Sequence, residues 1–172
     1  MSEKDIVDAW IKDCMKRRKS TLVFPNVFVD LFEADILEIT KSGYAHELEV
    51  KLSRSDFKAD MDKSRLSWTK EPEWTRRKRV RVNKHEQLRG GDRVNTFTYI
   101  VPKGLMSEKE VPQKAGLIYA IVRQYNGKAW ITFETIRKAQ SLSKEKHGLR
   151  IQIKCLLSTY YRYHEQRKKN KL

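Results

Sequence analysis

In the stretch Tyr44-Ala45-His46-Glu47-Leu48-Glu49-Val50-Lys51-Leu52, charged and apolar residues alternate from Glu47 onward. Successive side chains of a strand point to opposite faces, so Glu47, Glu49 and Lys51 share one face, and the apolar residues between them share the other. The sequence therefore predicts a strand with one buried face and one face that carries two acids and an amine.

A second apolar run, residues 32–39, precedes this strand and carries Asp35. Between the two runs, Lys41-Ser42-Gly43 is typical of a hairpin turn, because glycine adopts the backbone conformations that tight turns need. A hairpin of this kind would bring Asp35 beside Glu49. The pattern predicts two carboxylates on neighbouring strands.

Such a pair of carboxylates is suited to Mg²⁺, which prefers hard oxygen ligands and keeps several of its waters. Asp35 and Glu49 are the expected ligands, and the main-chain carbonyl of Val50 is the expected third oxygen. Lys51, about 7 Å along the strand from Glu49, would orient a water or balance phosphate charge. This set suits metal-dependent phosphodiester hydrolysis with Mg²⁺ or Mn²⁺. A surface strand with alternating charges is the other interpretation of the same residues.

Length and charge limit the classes of protein to which this chain can belong. The 172 residues, 39% of them hydrophobic, favour one domain with a real core. The 37 Lys and Arg residues exceed the 22 Asp and Glu residues, which gives a net charge of +15. Such a charge indicates a polyanionic partner, and DNA is the first candidate, although solubility alone also explains it.

Other signals concern the compartment. Cys14 and Cys155 have no spacing typical of a disulfide framework or a zinc site, so we expect buried thiols in a reducing environment. No apolar run approaches the roughly 18 residues of a membrane span, and the first residues lack a signal-peptide core. We therefore expect a cytoplasmic protein of a bacterial or phage-infected cell, with no membrane partner.

Periodicity and turn residues predict the remaining elements. Ser53 followed by Asp56 is typical of a helix start. The strand 22–24 is expected to break at Pro25-Asn26. The expected elements are helices over 3–18, 54–68 and from 142 onward, and strands over 22–24, 27–32, 95–101, 117–122 and 129–133. This order predicts an α/β domain over 1–160, with a mixed central β-sheet flanked by helices.

Two basic segments lie outside this pattern. The first, within an insertion at about 69–95, is expected to form a long loop or ribbon that contacts phosphates and stacks bases, although a solvated loop whose tryptophans cover the core is the alternative. The second is the C-terminal tail 161–172, expected to be disordered or to lie along phosphate. The expected nucleic-acid-binding residues of the insertion are Arg76, Arg77, Lys78, Arg79, Arg81, Lys84 and Trp74.

The order of an acid on one strand and Glu-x-Lys on the next resembles the PD-(D/E)XK nuclease superfamily. Here these residues are Asp35 and Glu49-Val50-Lys51. A longer string is similar to MmcB-type DNA-repair nucleases and related small phage and bacterial proteins, over roughly residues 24–122. It comprises Ala34-Asp35-Ile36-Leu37, then Glu49-Val50-Lys51-Leu52-Ser53-Arg54-Ser55-Asp56-Phe57, then Phe97-Thr98-Tyr99-Ile100-Val101-Pro102-Lys103-Gly104-Leu105.

The resemblance implies a restriction-endonuclease-like fold with a four-stranded mixed sheet, and metal-dependent DNA hydrolysis in repair, recombination, phage defence or counter-defence. Asp35 and Glu49 would be metal ligands and Lys51 the catalytic lysine. By strand period, Glu33 is a candidate extra ligand, and Glu47 is a weaker one. The first helix would supply a further acid, with three left open: Asp5, Asp8 and Asp13. The insertion is longer and more basic than the family pattern requires.

Two further acids and one other class of function complete these expectations. Asp56 and Asp60 are expected to cap their helix and to pair with Arg54 or Lys63 rather than to bind metal. A non-catalytic nucleic-acid-binding accessory protein on the same fold is the main alternative function, and an inhibitor or decoy of a host complex is a third. A homodimer is an open expectation, because many enzymes that cut duplex DNA pair to reach both strands.

Overall fold

The computed structural model describes residues 1–17, 20–70 and 77–169. This part of the chain contains four helices and eight strands. In order they are α1 (Glu3–Arg17), β1 (Ser20–Val29), β2 (Phe32–Thr40), β3 (Ala45–Val50), α2 (Arg54–Met61), β4 (Ser64–Lys70), β5 (Arg77–Asn83), α3 (Lys84–Gly90), β6 (Thr96–Pro102), β7 (Gly116–Tyr125), β8 (Lys128–Arg137) and α4 (Gly148–Lys169).

Six strands form a mixed central sheet in the order β1-β2-β3-β6-β7-β8. The central pairs, β3 with β6 and β6 with β7, are parallel, and the outer pairs are antiparallel. Parallel strands need both faces covered, which explains why helices flank this sheet. The predicted α/β fold with a mixed central sheet is confirmed, with six strands rather than four.

Two core layers cover the faces of the sheet. On one face, Ile6 and Trp10 of α1 pack with Leu48 and Val50 of β3. On the other face, Ile151 of α4 and Leu88 of α3 pack with residues that include Leu37, Phe97 and Val101. Because β3 alternates as predicted, Glu47 and Glu49 lie under the second layer and are buried.

The expected break at Pro25-Asn26 is wrong, because β1 runs through both residues and pairs with β2 on either side. Strand β1 is at the edge of the sheet, where a proline without an N–H costs no ladder hydrogen bond. Asn26 takes a left-handed φ of 47°. The irregularity that sequence reasoning placed between two strands lies inside one strand.

The expected helix over 54–68 ends early. Helix α2 stops at Met61, where Lys63 N–H donates to the Asp60 carbonyl at 3.1 Å, and β4 begins at Ser64. Strands β4 and β5 pair with each other in a separate two-stranded sheet, which we call the basic ribbon (residues 64–70 and 77–83). In its described residues, the expected insertion is a ribbon, one of the two forms that the sequence predicts, followed by the short helix α3.

The C-terminal segment also differs from the expectation of a disordered tail from residue 161. Helix α4 extends to Lys169, and residues 170–172 are outside the described part of the chain. It begins at Gly148, where a side chain would meet the Gly43 carbonyl oxygen at 2.7 Å, later than the predicted start at 142. Within the described ranges, no helix has the length and apolar character needed to cross a membrane.

Candidate active site

The β2–β3 hairpin brings Asp35 to the Glu49–Lys51 strand, as the turn at 41–43 predicts. The register pairs Ile36 with Leu48, and Val50 N–H donates a hydrogen bond to Asp35 Oδ2 at 2.7 Å. Gly43 at the turn has a φ of 84°, the left-handed conformation that glycine adopts without strain. The main chain of β3 therefore fixes the Asp35 carboxylate.

The inward face of β2 shifts by one residue at Asp35. Ala34 packs in the core layer of α4, whereas Ile36 packs in the layer of α1, and Leu37 is again on the α4 side. Simple alternation would place Ala34 and Ile36 on one face. Glu33 and Asp35 are both half-buried between buried neighbours, so the placement of Glu33 beside Asp35 stays a prediction.

Lys51 forms the predicted partnership with Glu49. Its Nζ is 3.0 Å from Glu49 Oε2 and 3.6 Å from Oδ1 of Asp60 on α2. Burial alone would lower the pKa of Lys51, but Glu49, Asp60 and Asp35 raise it above its usual value. Lys51 is therefore a charged, nearly buried ammonium.

The position of Lys84 differs from the one that the sequence predicts. The sequence grouped it with the surface cations of the basic segment, but its side chain is completely buried. Its ammonium contacts Glu49 Oε1 and lies 3.3 Å from Glu47 Oε1 and 3.4 Å from Asp60 Oδ1. Lys84 begins α3, which turns inward after the basic ribbon, so it belongs to the carboxylate cluster and is removed from a DNA surface.

Glu47 is held by Arg93, which sequence reasoning missed. Arg93 Nε donates to Glu47 Oε2 at 2.6 Å, and Nη2 donates to Oε1 at 3.1 Å. The same guanidinium donates to the carbonyls of Val29 and Phe32. Burial would raise the pKa of Glu47, but Arg93 and Lys84 lower it below its usual value. Glu47 is therefore a structural anion rather than a free ligand.

Asp60 also has a different role from the expected one. It pairs with neither Arg54 nor Lys63, and instead its Oδ2 is 3.0 Å from both His85 Nε2 and Tyr99 OH. Burial favours a raised pKa, but the hydrogen bond from His85 and the nearby lysines lower the pKa of Asp60 well below its usual value. The start of α2 does follow the expectation, because Ser53 Oγ accepts from Asp56 N–H at 3.1 Å.

The two proposed ligands have raised pKa values. Burial, with the neighbouring Asp35 and Glu47 charges, raises the pKa of Glu49 to about 7 even though Lys84 and Lys51 oppose the shift. Burial likewise raises the pKa of Asp35. A cation placed between the two carboxylates would favour their charged forms.

The three acids that competed on the first helix lie elsewhere. At the start of α1, Asp5 accepts a hydrogen bond from Ser2 N–H, and Asp13 pairs with Arg17. Asp5, Asp8 and Asp13 line an open cavity of about 880 Å³ together with Trp130. The acid of α1 whose charge reaches Asp35, and raises its pKa, is Glu3.

The expected DNA-binding residues are spread across described and undescribed parts of the chain. Trp74 and Arg76 lie outside the described residues. Arg77 and Lys78 are in β5, and Arg79 and Arg81 on the same strand are exposed.

Some of the missed residues had a local signal and others had none. Tyr99 lies two residues after Phe97 on a strand that the sequence predicted, and in the parallel register it pairs with Glu49. Asn83 before Lys84 is a helix-start residue, and its Oδ1 caps α3. The pairing of Arg93 with Glu47 joins residues 46 positions apart, and no local sequence pattern indicates it.

No protein-family model matches the sequence, and no curated protein does. The fold is similar to the solved structure of a protein of unknown function from Silicibacter pomeroyi, with a TM-score of 0.59 over 95% of this chain and 90% of that one. At 14% identity this likeness concerns the fold alone. It shows that a similar overall fold occurs in another protein.

Proposed function

We propose that this chain is a metal-dependent nuclease that hydrolyses DNA phosphodiester bonds. The observation that carries the proposal is the hydrogen bond from Val50 N–H to Asp35, which sets an acid of β2 against Glu49 of β3 and Lys51, the residue that follows this strand. The order of these residues is also the basis of the resemblance to PD-(D/E)XK nucleases. Repair, recombination and phage defence or counter-defence in the cytoplasm are the processes that this activity would serve.

The donor set is compatible with Mg²⁺ or Mn²⁺. Asp35 Oδ1 accepts no hydrogen bond from the described residues, and it neighbours a second carboxylate whose pKa is raised. Around the site, the carboxylates of Asp35, Glu47, Glu49 and Asp60 outnumber the cations of Lys51, Lys84 and Arg93 by four to three.

No group of three or more Asp, Glu, His or Cys side chains in the described ranges is arranged for a metal ion. The ion would therefore use Asp35, Glu49, the Val50 carbonyl and water, which suits magnesium because it retains several waters. When bound, it would supply Lewis-acid charge at the phosphate and an activated water.

The residues of the chain have separate tasks in this proposal. Lys51 carries a fixed positive charge that balances charge on the scissile phosphate. Asp60, held by His85 and Tyr99, keeps the Lys51 ammonium on the active face. Arg79 and Arg81 of the basic ribbon hold the DNA backbone through phosphate contacts.

A cleavage panel tests the function. Plasmid, linear duplex, single-stranded and branched DNA are incubated with the protein and Mg²⁺, Mn²⁺ or EDTA. We expect cleavage only with metal, and Lys51→Met should slow it at least about 100-fold by removing charge stabilisation. Asp35→Asn should abolish metal-dependent cleavage with DNA binding retained.

Lys58→Met is the matched control, because Lys58 is exposed on the neighbouring helix α2. It should cut at the wild-type rate, and circular dichroism should show that all three variants are folded. Cleavage in EDTA, or wild-type cleavage by folded Lys51→Met, would contradict the proposal.

The accessory protein is the second candidate, and one observation favours it. Both oxygens of Glu49 are already in contact with ammonium groups, Oε1 with Lys84 and Oε2 with Lys51. A site neutralised in this way could serve structure alone. Salt-sensitive DNA binding, with no Mg²⁺ or Mn²⁺ uptake by calorimetry and no cleavage, would support this candidate and refute the nuclease.

A further inference from the structure

Helix α4 has two apolar faces. Ile151 and Cys155 are buried on the side that packs on the sheet. On the other side, seven large side chains are between 50% and 74% exposed: Leu149, Ile153, Leu156, Leu157, Tyr160, Tyr161 and Tyr163. A helix that is apolar on two faces normally has both of them covered.

Five of these residues form a regular line that we call the α4 seam. They follow one another at alternating intervals of four and three residues, the spacing of a coiled-coil interface. The seam consists of Leu149, Ile153, Leu156, Tyr160 and Tyr163. Along one border of the seam, at heptad spacing, lie the uncharged side chains of Gln152, Thr159 and Gln166. A second helix can approach this border without charge repulsion.

We propose that the α4 seam packs against the α4 seam of a second copy of this chain, as an antiparallel pair across a two-fold axis. Two identical seams are self-complementary, as a two-fold interface requires. At roughly 200 Å² for each large side chain, the exposed fractions of the five seam residues amount to about 600 Å² on each partner, or about 1,200 Å² for the pair, which is the lower end of a standard interface.

Charge selects the orientation. At the start of α4, Arg150 and Lys154 are both paired with Asp30, in the turn after β1. The end of the helix carries Arg162, Arg167, Lys168 and Lys169 against one acid, Glu165. In a parallel pair, the basic C-terminal ends of the two α4 helices would lie side by side and repel each other. In an antiparallel pair these ends lie at opposite ends of the interface, and the two helix dipoles point in opposite directions.

Contacts with the body hold the seam outward. The ion pairs to Asp30 secure the first half of α4 at the turn after β1, and Arg162 Nη2 in the second half donates to the Pro25 carbonyl of β1 at 3.4 Å. The buried and exposed sides of the helix are thereby fixed. The proposal uses none of the nuclease residues and stands whether or not the chain cuts DNA.

Light scattering on the full chain across a concentration series tests the pairing. We expect a mass of twice 20.4 kDa for the wild type, and 20.4 kDa for the double variant Ile153→Glu with Tyr160→Glu. Val122→Glu with Tyr125→Glu is the matched control, because these β7 residues are similarly exposed. A wild type of 20.4 kDa at every concentration, or equal dissociation of the control, would overturn the proposal.

Disulfide trapping tests the orientation. Chains with Leu149→Cys are mixed with chains that carry Tyr163→Cys, and oxidation should join the two kinds in the antiparallel pair. Leu156→Cys, at the middle of the seam, should link to itself, while the buried Cys14 and Cys155 give a wild-type background. Links between two Leu149→Cys chains, without mixed links, would refute the antiparallel arrangement.

Discussion

At the residue scale, the distinctive feature of this protein is a chain of alternating charges at the candidate site. Arg93, Glu47, Lys84, Glu49 and Lys51 contact one another in that order. Each charge that was removed from water is compensated by its neighbours, so the cost of burying any one depends on the others. Removal of one member is therefore expected to cost more than its own contacts.

Lys84 gives the clearest test of this expectation. Lys84→Met keeps the length of the side chain but leaves three carboxylates without their shared cation, so we expect a loss of about 3–5 kcal/mol in the free energy of unfolding. Urea denaturation measures the loss. Adding Glu49→Gln should restore part of it, because the residues are coupled. Exposed Lys109→Met should change stability by less than about 0.5 kcal/mol, and an equal change for Lys84→Met would refute this role.

The raised pKa of Glu49 predicts a pH dependence with a definite sign. The folded carboxyl keeps its proton up to a pKa of about 7, whereas the unfolded one releases it near 4.5. Between these values the folded state binds more protons, so this group's contribution to the free energy of unfolding falls as pH rises.

Urea denaturation from pH 4.5 to 8 checks this sign. The difference between wild type and Glu49→Gln should decline with rising pH through the window and level off above about 7. A difference that rises with pH would contradict the assignment. Added Mg²⁺ should move the decline to lower pH, because a cation favours the charged carboxylate.

At the element scale, local patterns predicted the hairpin but not its surroundings. The Lys41-Ser42-Gly43 turn and the alternation of β3 are local signals, and both were sufficient to place Asp35 beside Glu49. The contact of Asp60 with Lys51 depends on where α2 ends. Strand β4 follows shortly after that end and pairs with β5, which begins only at Arg77, so the spacing of residues 54–68 alone could not predict it.

The basic ribbon carries the element-scale prediction. Arg79→Gln with Arg81→Gln should weaken DNA binding and reduce the salt dependence, by about 0.9 in the log–log slope for each phosphate that the variant no longer neutralises. Fluorescence anisotropy over a salt series measures both quantities. Lys109→Gln with Lys128→Gln removes the same charge from exposed positions away from the ribbon. Equal weakening by both pairs would mean that only net charge matters.

At the scale of the whole molecule, the class of fold could be predicted because local periodicity in the sequence indicates the order of helices and strands. The role of Arg93 could not be predicted, since it joins the turn after β1 to β3 through partners distant in sequence. The burial of Lys84 was likewise hidden, because nothing in a run of basic residues marks the one that turns inward.

Arg93 carries the prediction at this scale. Arg93→Met removes the charge partner of buried Glu47 and the hydrogen bonds from this guanidinium to the carbonyls of Val29 and Phe32 at the turn between β1 and β2. We expect a loss of about 3–5 kcal/mol in the free energy of unfolding. Chemical denaturation beside Arg123→Met, an exposed position on β7, measures it. Similar midpoints for the two variants would exclude this role.

The parallel pairing of β3 with β6 has a consequence for the order of folding. His46 and Thr96, which are opposite each other in this pair, are 50 residues apart, whereas the flanking hairpins close over short turns. Chain-closure entropy delays long-range pairing, so the hairpins should form first and β3 should join β6 late. Tyr99 meets Asp60 and Glu49 only across this junction. A nascent or partly folded chain would thus carry the hairpin of Asp35 and Glu49 well before the residues of the candidate site have come together.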